Sequence, residues 1–238
     1  MSNKRNFAVF ILTHGRADNV ITTKTLREQG YTGRIYYIVD NLDEQISLYQ
    51  KNFGKENVII FDKIYAMSIT DTEDNFKDKR AVVYARNMCH KIAKDLNLTH
   101  FLELDDDYTM FDVRFEKDYK MKLEKIKNLD RLFEKILDYL DNTQCKSIAL
   151  AQGGDYIGGV NGLLKKGLKR KVMNTFFCRT DRPFRFYGKI NEDVNCYTLN
   201  GSRGELYLTL TELAIEQKQT QANMGGANRY LLKFRNLC

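Results

Sequence analysis

The chain has 238 residues, 43% of them hydrophobic, a single proline and a net charge of +7. This composition predicts a folded globular protein rather than a disordered chain, and the length is enough for one large domain. No apolar run approaches the ~18 residues of a membrane helix, the segment from Met1 to Phe10 lacks a signal-peptide core, and the five cysteines form no C-x-x-C pair. We therefore expect a soluble intracellular protein without a disulfide framework or a zinc site.

The first third of the chain alternates predicted strands and helices. Strands are predicted at Phe7–Leu12, Arg34–Asp40 and Val58–Asp62, and helices from an Asp18 or Asn19 cap to Leu26 and around Gln45–Phe53. This alternation is typical of a doubly wound α/β sheet. The polar stretch between Asp62 and Arg80 predicts a loop.

A helix followed by a strand comes next. Apolar residues at positions 81, 85, 88, 92 and 96 have the spacing of a helix with one buried face. The short strand Phe101–Leu104 then runs into three aspartates, Asp105, Asp106 and Asp107. Because open α/β sheets bind ligands where their strands end, these carboxylates are predicted to lie at a ligand-binding edge.

The three aspartates need not act alike. Side chains alternate along a strand, so Asp105 and Asp107 are predicted to point to one side and Asp106 to the other. Two convergent carboxylates form a hard oxygen site suited to Mg or Mn, with phosphate oxygens completing the coordination shell. A solvated acidic turn is the alternative interpretation.

The second half of the chain has weaker signals. It contains a predicted helix at Leu129–Leu140, strands at Ser147–Ala151, Val172–Cys178 and Leu206–Leu210, and a helix start at Asn191, Glu192 and Asp193. Five glycines between Gly153 and Gly162 indicate either a loop on the acceptor side or a plain flexible connection. The stretch Arg182–Tyr187 mixes arginine with aromatic rings, which favours base stacking by Phe184 or Phe186 or an edge strand that packs those rings.

Positive charge is concentrated in one run. It comprises Lys165, Lys166, Lys169, Arg170 and Lys171. The run is either a solvated basic turn without a binding function or a segment that contacts DNA phosphates. The overall excess of 38 basic over 31 acidic residues also favours a polyanionic partner, because some of the acids belong to the predicted metal cluster.

The segment Ala85-Arg86-Asn87, followed by an apolar strand that ends in Asp-x-Asp, resembles the nucleotide-sugar-binding half of GT-A glycosyltransferases. The resemblance implies that Asp107 is a metal ligand and that Asp105 is a second metal contact or binds the ribose. Arg86 and Asn87 would then face the nucleotide. Glu103 departs from the family, which usually has an apolar residue at this position.

The same resemblance assigns residues to the nucleotide sugar. Thr13, His14, Gly15 and Arg16 would contact the nucleobase and the phosphates, and Asp40 would accept a hydrogen bond from a uracil-like base. Arg80 is a candidate for reaching the diphosphate, with a solvated charge as the alternative.

An acidic pair that opens a late helix lies next to the sugar in many GT-A enzymes, and in inverting members one acid takes the proton from the acceptor hydroxyl. On this chain the resemblance implies that Asp193 is this base, with Glu192 as the alternative. An interpretation without a catalytic role is that the two acids only interact with the helix dipole at an N-terminus. Many members also supply a late histidine to the metal. This sequence has no histidine after His100, so Asn223, Asn228 or water would take that place.

Four segments point to a narrower group. FAVFILTHGRADN, GYTGRIYYIVDN, VIIFDK and LELDDDY together resemble the phage-encoded TET-associated glycosyltransferases. These enzymes are thought to place sugars on hydroxymethylated pyrimidines in DNA. The resemblance covers roughly the first 110 residues well and the remainder loosely.

The sequence therefore predicts a single GT-A domain over residues 1–238, a mostly parallel α/β sheet flanked by helices. Residues 1–110 form the predicted nucleotide-sugar half and residues 111–238 the acceptor half. The implied reaction moves a sugar from a UDP-sugar, with Mn or Mg, to 5-hydroxymethylpyrimidine in phage DNA in the host cytoplasm. Alternatives are a glycan or protein acceptor, or a non-catalytic basic DNA-binding module on the same scaffold.

Overall fold

A nine-stranded sheet runs through the computed structural model, which describes residues 5–72, 82–153 and 174–218. The strands of this described part are β1 Phe7–Leu12, β2 Arg34–Asp40, β3 Val58–Phe61, β4 His100–Asp105, β5 Tyr108–Lys117, β6 Lys120–Lys125, β7 Ser147–Gln152, β8 Phe176–Arg179 and β9 Tyr207–Gln217. Its α-helices are α1 Ile21–Glu28, α2 Ile46–Phe53, α3 Lys63–Ser68, α4 Val83–Asp95, α5 Leu129–Asp141 and α6 Glu192–Ser202.

The strands follow the order β3-β2-β1-β4-β8-β7-β9-β5-β6 across the sheet. The first four are parallel neighbours, β8 is antiparallel to both β4 and β7, and β9 is parallel to β7. β5 is antiparallel to β9 and to β6. Seven of these nine strands therefore run in one direction, and only β8 and β5 oppose them, which confirms the predicted mostly parallel α/β sheet.

Several predicted boundaries needed correction. The helix α1 begins at Ile21 after Val20, without a side-chain cap, so the prediction of an Asp18 or Asn19 cap was wrong. The stretch after Asp62 was predicted to be a loop but begins with α3. The Asp62 carboxylate accepts hydrogen bonds from the amides of Ile64 and Tyr65, and this N-cap starts the helix.

The aromatic segment before α6 also differs from its prediction. It forms no strand in the structure, and Phe184 and Phe186 are buried, with 8% and 1% of their surface exposed. Both rings pack against Phe176, with centroid distances of 6.3 and 4.8 Å. Neither ring is free to stack on a base, so that interpretation was wrong.

Two hydrophobic cores lie on opposite faces of the sheet. Leu102 and Leu104 of β4 belong to the core that includes α5, whereas Phe101 belongs to the core that includes α4. Because side chains alternate along β4, Glu103 and Asp105 project toward the α4 face. This alternation brings polar side chains to Arg86. None of the helices in the described part of the chain is long and apolar enough to cross a membrane.

Candidate active site

The carboxyl ends of β1 and β4 meet at one edge of the sheet. In the parallel register of these strands, Leu12 pairs with Asp105. The loop Thr13–Arg16 therefore begins beside the aspartate triplet, although about 90 residues separate the two in sequence. This is the convergence predicted for a ligand-binding edge.

Asp106 ties the loop after β1 to the end of β4. Its carboxylate accepts a hydrogen bond of 2.7 Å from Thr13 Oγ1 and one of 2.8 Å from an Arg16 guanidinium nitrogen. Asp106 is 5% exposed, and the hydroxyl of Tyr49 accepts a further hydrogen bond from the Arg16 amide. Asp106 thus points away from Arg86, as the strand alternation predicted, but its role as the anchor of the loop was missed.

Replacing Asp106 with alanine should weaken binding of the nucleotide sugar by about 10- to 100-fold, because a loop displaced by even 1 Å loses its contacts. The change in Kd or KM for the nucleotide sugar measures this effect. Asp18→Asn is a matched control, since Asp18 is an exposed loop acid that bonds only Asn52 among the described residues. Equal affinities for Asp106→Ala and the control would show that the anchor does not organise the site.

His14 and Asp40 form a second polar contact at the same edge. His14 Nδ1 lies 3.1 Å from Asp40 and 3.3 Å from Asp43, while Lys63 Nζ donates to Asp40 at 3.0 Å. Burial alone would raise the pKa of Asp40, but the hydrogen bond from His14 and the charge of Lys63 lower it to about 2. The hydrogen bond to Asp40 in turn raises the pKa of His14.

Asp40 is 4% exposed and already accepts hydrogen bonds from protein groups, whereas the His14 side chain is 52% exposed. The contact of Asp40 with a base therefore stays a prediction, and the structure shows it as an anchor of His14. Sequence reasoning missed Asp43 and Lys63. The only signal for them was their nearness to Asp40 and to the end of β3.

Gly15 gives the loop its shape. Its φ of +64° lies in the left-handed region that favours glycine, and its amide donates to Asp43 at 2.7 Å. A Cβ built at Gly15 would meet no described atom within 4 Å. The backbone here is open on the side where a side chain would stand.

Arg86 connects three acids from two other elements. Its guanidinium lies 3.0 Å from Asp105, 3.1 Å from Glu192 and 3.4 Å from Glu103. The side chain is 1% exposed and stacks against Phe176. Arg86 thus joins α4 and β4 to the start of α6.

Burial and charge act in opposite directions on the pKa values of this cluster. Burial raises the pKa of Glu103 to about 8 and that of Asp105 to about 7, although Arg86 opposes both shifts. Burial also raises the pKa of Glu192. Burial lowers the pKa of Arg86, but the three acids outweigh this effect and hold it well above its ordinary value. Glu103, which departs from the GT-A pattern, is fully buried as a partner of Arg86.

Asn87 holds the segment that precedes α6. Its amide nitrogen donates to the Phe186 carbonyl at 3.0 Å and to Thr70, and its amide oxygen accepts from the Phe186 amide at 2.8 Å. The structure therefore gives Asn87 protein partners, and its contact with a nucleotide stays a prediction.

Asp107 is the member of the aspartate triplet that has an oxygen without a hydrogen-bond partner among the described residues. Its Oδ2 accepts a hydrogen bond from Gln217 at 3.3 Å, while its buried Oδ1 has no hydrogen-bond partner among the described residues. Burial raises the pKa of this carboxylate. An orphaned, buried carboxylate oxygen is costly unless a cation or donor satisfies it.

This observation fits a divalent metal at Asp107. Asp105 fits less completely, because one of its oxygens accepts a hydrogen bond from Arg86. Within residues 5–72, 82–153 and 174–218, no group of three His, Cys, Asp or Glu side chains is placed to hold a metal. Asn223 and Asn228, the predicted substitutes for a late histidine, lie outside the described residues.

The acidic pair sits at the start of α6, as predicted. Asn191 precedes the helix in a left-handed conformation and makes no side-chain cap there, so its capping role was wrong. Glu192 reaches Arg86 and hence the Asp105 cluster, whereas Asp193 Oδ1 accepts a hydrogen bond from the Val194 amide. Both acids are largely buried.

Other predicted site residues lie outside the described residues. These are Arg80, the glycines after Gly153, and the basic run Lys165, Lys166, Lys169, Arg170 and Lys171. Their roles stay predictions.

Comparisons with known proteins agree with this architecture. The model of a family described as TET-Associated Glycosyltransferase matches residues 7–226. A comparison with curated protein sequences gave no match.

Solved structures of other proteins share the fold, including the following three. Glucosyl-3-phosphoglycerate synthase from Mycobacterium tuberculosis, solved with Mn²⁺, UDP and phosphoglyceric acid, has a TM-score of 0.52 at 8% identity over 91% of this chain and 72% of its own. The mannosyltransferase PcManGT from Pyrobaculum calidifontis, solved with GDP-Man and Mn²⁺, has a TM-score of 0.54 at 11% identity over 90% of this chain and 57% of its own. The S. aureus protein TarS has a TM-score of 0.50 at 16% identity over 90% of this chain and 36% of its own. At these identities the likeness shows the fold alone, which is the GT-A fold.

Proposed function

Because the chain belongs to the TET-associated glycosyltransferase family, and is thus a GT-A glycosyltransferase, we propose that it glycosylates modified DNA. It transfers a sugar from a nucleotide sugar, a UDP-sugar, to the hydroxyl of 5-hydroxymethylpyrimidine in phage DNA. The observation that carries this proposal is the convergence at one sheet edge of the loop after β1, the end of β4 and the acids of α6.

In this proposal the nucleotide-sugar site lies in residues 1–110. Thr13, His14, Gly15 and Arg16 contact the nucleobase and the phosphates. The half-exposed His14 ring and the open backbone at Gly15 support this placement. Arg80 approaches the diphosphate, and Asp40, which orients His14, accepts a hydrogen bond from a uracil-like base.

Asp107 and Asp105 are the proposed holders of Mn or Mg. When bound, such an ion neutralises negative charge that develops on the departing diphosphate. The orphaned Oδ1 of Asp107 supports this assignment. The neighbouring folds solved with Mn²⁺ and a nucleotide or nucleotide sugar support the same combination here.

Residues 111–238 are the proposed acceptor half, with an acid at the start of α6 as the general base. Asp193 takes the proton from the hydroxymethyl oxygen if the reaction inverts, and Glu192 is the alternative. The position of Arg86 supports the second choice, because Arg86 joins Glu192 to the end of β4. The basic run from Lys165 to Lys171 contacts DNA phosphates in this proposal.

The proposal is tested by intact-mass analysis of oligonucleotides after incubation with a panel of nucleotide sugars and Mn²⁺. Duplexes carrying 5-hydroxymethylcytosine or 5-hydroxymethyluracil should gain the mass of one sugar per modified base, and unmodified duplexes should gain none. Transfer to glycans or proteins, with no mass gain on any hydroxymethylated DNA, would show that the acceptor is not DNA. The glycosyltransferase assignment would still hold.

A further inference from the structure

The hairpin formed by β5 and β6 was not predicted from the sequence and lies outside the site described above. β6 is the last strand of the described sheet, and β5 residues beyond Val113 pair with β6 alone. The outer part of this hairpin is thus a two-stranded ribbon, residues 114–123, in which β5 is no longer paired with β9.

Lysines line one face of this ribbon. In the antiparallel register Lys117 lies opposite Lys120 and Phe115 lies opposite Lys122, so all four side chains share one face. The three lysines are exposed, and no ion pair links them to an acid within the described part of the chain. Like charges placed directly opposite each other destabilise a hairpin, which makes Lys117 and Lys120 costly unless an anion lies between them.

The tip of the ribbon carries an exposed aromatic side chain. Asp118 and Tyr119 both have positive φ, at 54° and 57°, and Tyr119 is 92% exposed. The left-handed conformation strains a residue with a large side chain, and glycine is the usual residue at such a position. Nothing in the described structure packs against Tyr119 to offset that strain.

The ribbon also has a defined position relative to the site. β5 begins at Tyr108, directly after Asp107, and Lys117 follows nine residues later. At about 3.4 Å per residue the ribbon tip lies up to roughly 30 Å from the site. That length corresponds to about nine base pairs of duplex, with one pair per 3.4 Å.

We propose that the β5–β6 ribbon binds the phosphate backbone of duplex DNA about nine base pairs from the target base, through Lys117, Lys120, Lys122 and Tyr119. This inference rests on the proposed function for its choice of polyanion. Lysine amines and a tyrosine hydroxyl are ordinary donors to phosphate oxygens, and a β-ribbon matches the width of a DNA groove. Lysines on an edge strand also discourage pairing between sheet edges, which is the competing explanation.

The test compares a 30-base-pair duplex with a 10-base-pair duplex, each with the hydroxymethylated base at its centre. Only the longer duplex reaches the ribbon. For the triple variant Lys117→Gln, Lys120→Gln and Lys122→Gln, the slope of log K against log salt on the longer duplex should fall by about 2 to 3. Affinity at 0.1 M salt should fall on the order of 100-fold, and binding of the shorter duplex should not change.

The matched control replaces Lys51, Lys55 and Lys94, which are exposed lysines on other elements, with glutamine. It removes the same charge and should leave the salt slope unchanged. Equal effects of the two triple variants would show that the ribbon lysines contribute only general positive charge. An unaltered salt slope with increased aggregation of the ribbon variant would show that these lysines only protect the sheet edge. A wild-type protein that binds neither duplex would overturn the proposal as well.

The variant Tyr119→Gly tests the contribution of Tyr119 to DNA binding separately from that of the lysines. Glycine adopts the left-handed conformation without cost, so thermal stability should rise. Loss of one hydrogen bond to phosphate should lower affinity for the longer duplex about threefold or more. Unchanged affinity would remove Tyr119 from the interface.

Failure of the ribbon and failure of the proposed function give different results. If the ribbon variant keeps its long-duplex affinity while sugar transfer to hydroxymethylated DNA persists, only the ribbon inference is wrong. If no hydroxymethylated DNA accepts sugar, the proposed acceptor is wrong, and the salt slopes on the longer duplex still decide whether the ribbon binds DNA.

Discussion

Asp107→Asn should lower kcat/KM for sugar transfer by about a thousandfold or more, which corresponds to several kcal/mol of lost transition-state stabilisation. The change keeps the size of the side chain but removes the charge of the proposed metal ligand. Because the buried Oδ1 of Asp107 has no partner among the described residues, placing the amide nitrogen of asparagine there breaks no hydrogen bond, and the fold should be as stable as before. Kinetics in Mn²⁺ and thermal unfolding without metal measure the two effects.

A second readout does not depend on activity. Binding of Mn²⁺ to wild-type protein should raise its melting temperature, and Asp107→Asn should abolish this increase. Asp95→Asn is the matched control, since Asp95 is an exposed acid on α4 that pairs only with Lys91 among the described residues. Full activity of Asp107→Asn in the presence of EDTA would contradict the assignment of Asp107 to a metal.

Arg86→Met should destabilise the protein by about 3 to 5 kcal/mol, the cost of leaving buried charges without their partner. Glu103, Asp105 and Glu192 would then lie together with no cation among them. Since a domain is stable by only about 5 to 15 kcal/mol, much of the protein should unfold during expression. Urea denaturation of purified wild type and variant measures the difference in unfolding free energy.

Companion variants separate charge from geometry. Arg86→Lys keeps the charge but not the forked contacts to three acids, so the protein should fold while transfer falls about 10- to 100-fold. Arg86→Met combined with Glu103→Leu should recover part of the lost stability, because it replaces a buried pair with apolar groups. Arg203→Met is the control for an exposed arginine. Unfolding free energies of wild type and Arg86→Met within 1 kcal/mol would show that Arg86 is not the centre of the cluster.

Local patterns were sufficient for the elements with strong periodicity. The continuous apolar run Phe7–Leu12 and the segment Arg34–Asp40 form strands with the predicted bounds. The helix predicted at Leu129–Leu140 ends one residue later, at Asp141. Burial of one face constrains such segments wherever they lie in the fold, so the sequence pattern alone identifies them. The hairpin β5–β6 lacked this signal, because β6 is an exposed edge strand with only one residue in six even partly buried.

The candidate site divides in the same way. The sequence by itself determined that the Asp105–Asp107 triplet ends a strand, that Asp106 faces away from Asp105, and that Glu192 and Asp193 open a helix. Each of these follows from local alternation or local helix signals. Only the tertiary structure decided that Asp106 holds the loop after β1 and that Arg86 joins Asp105 to Glu192. Asp106 lies 90 positions from its partner Arg16, and Glu192 lies 106 positions from Arg86. Those contacts depend on β4 lying beside β1 and on the start of α6 lying within reach of Arg86, and long-range order of this kind is not encoded in any single segment of the chain.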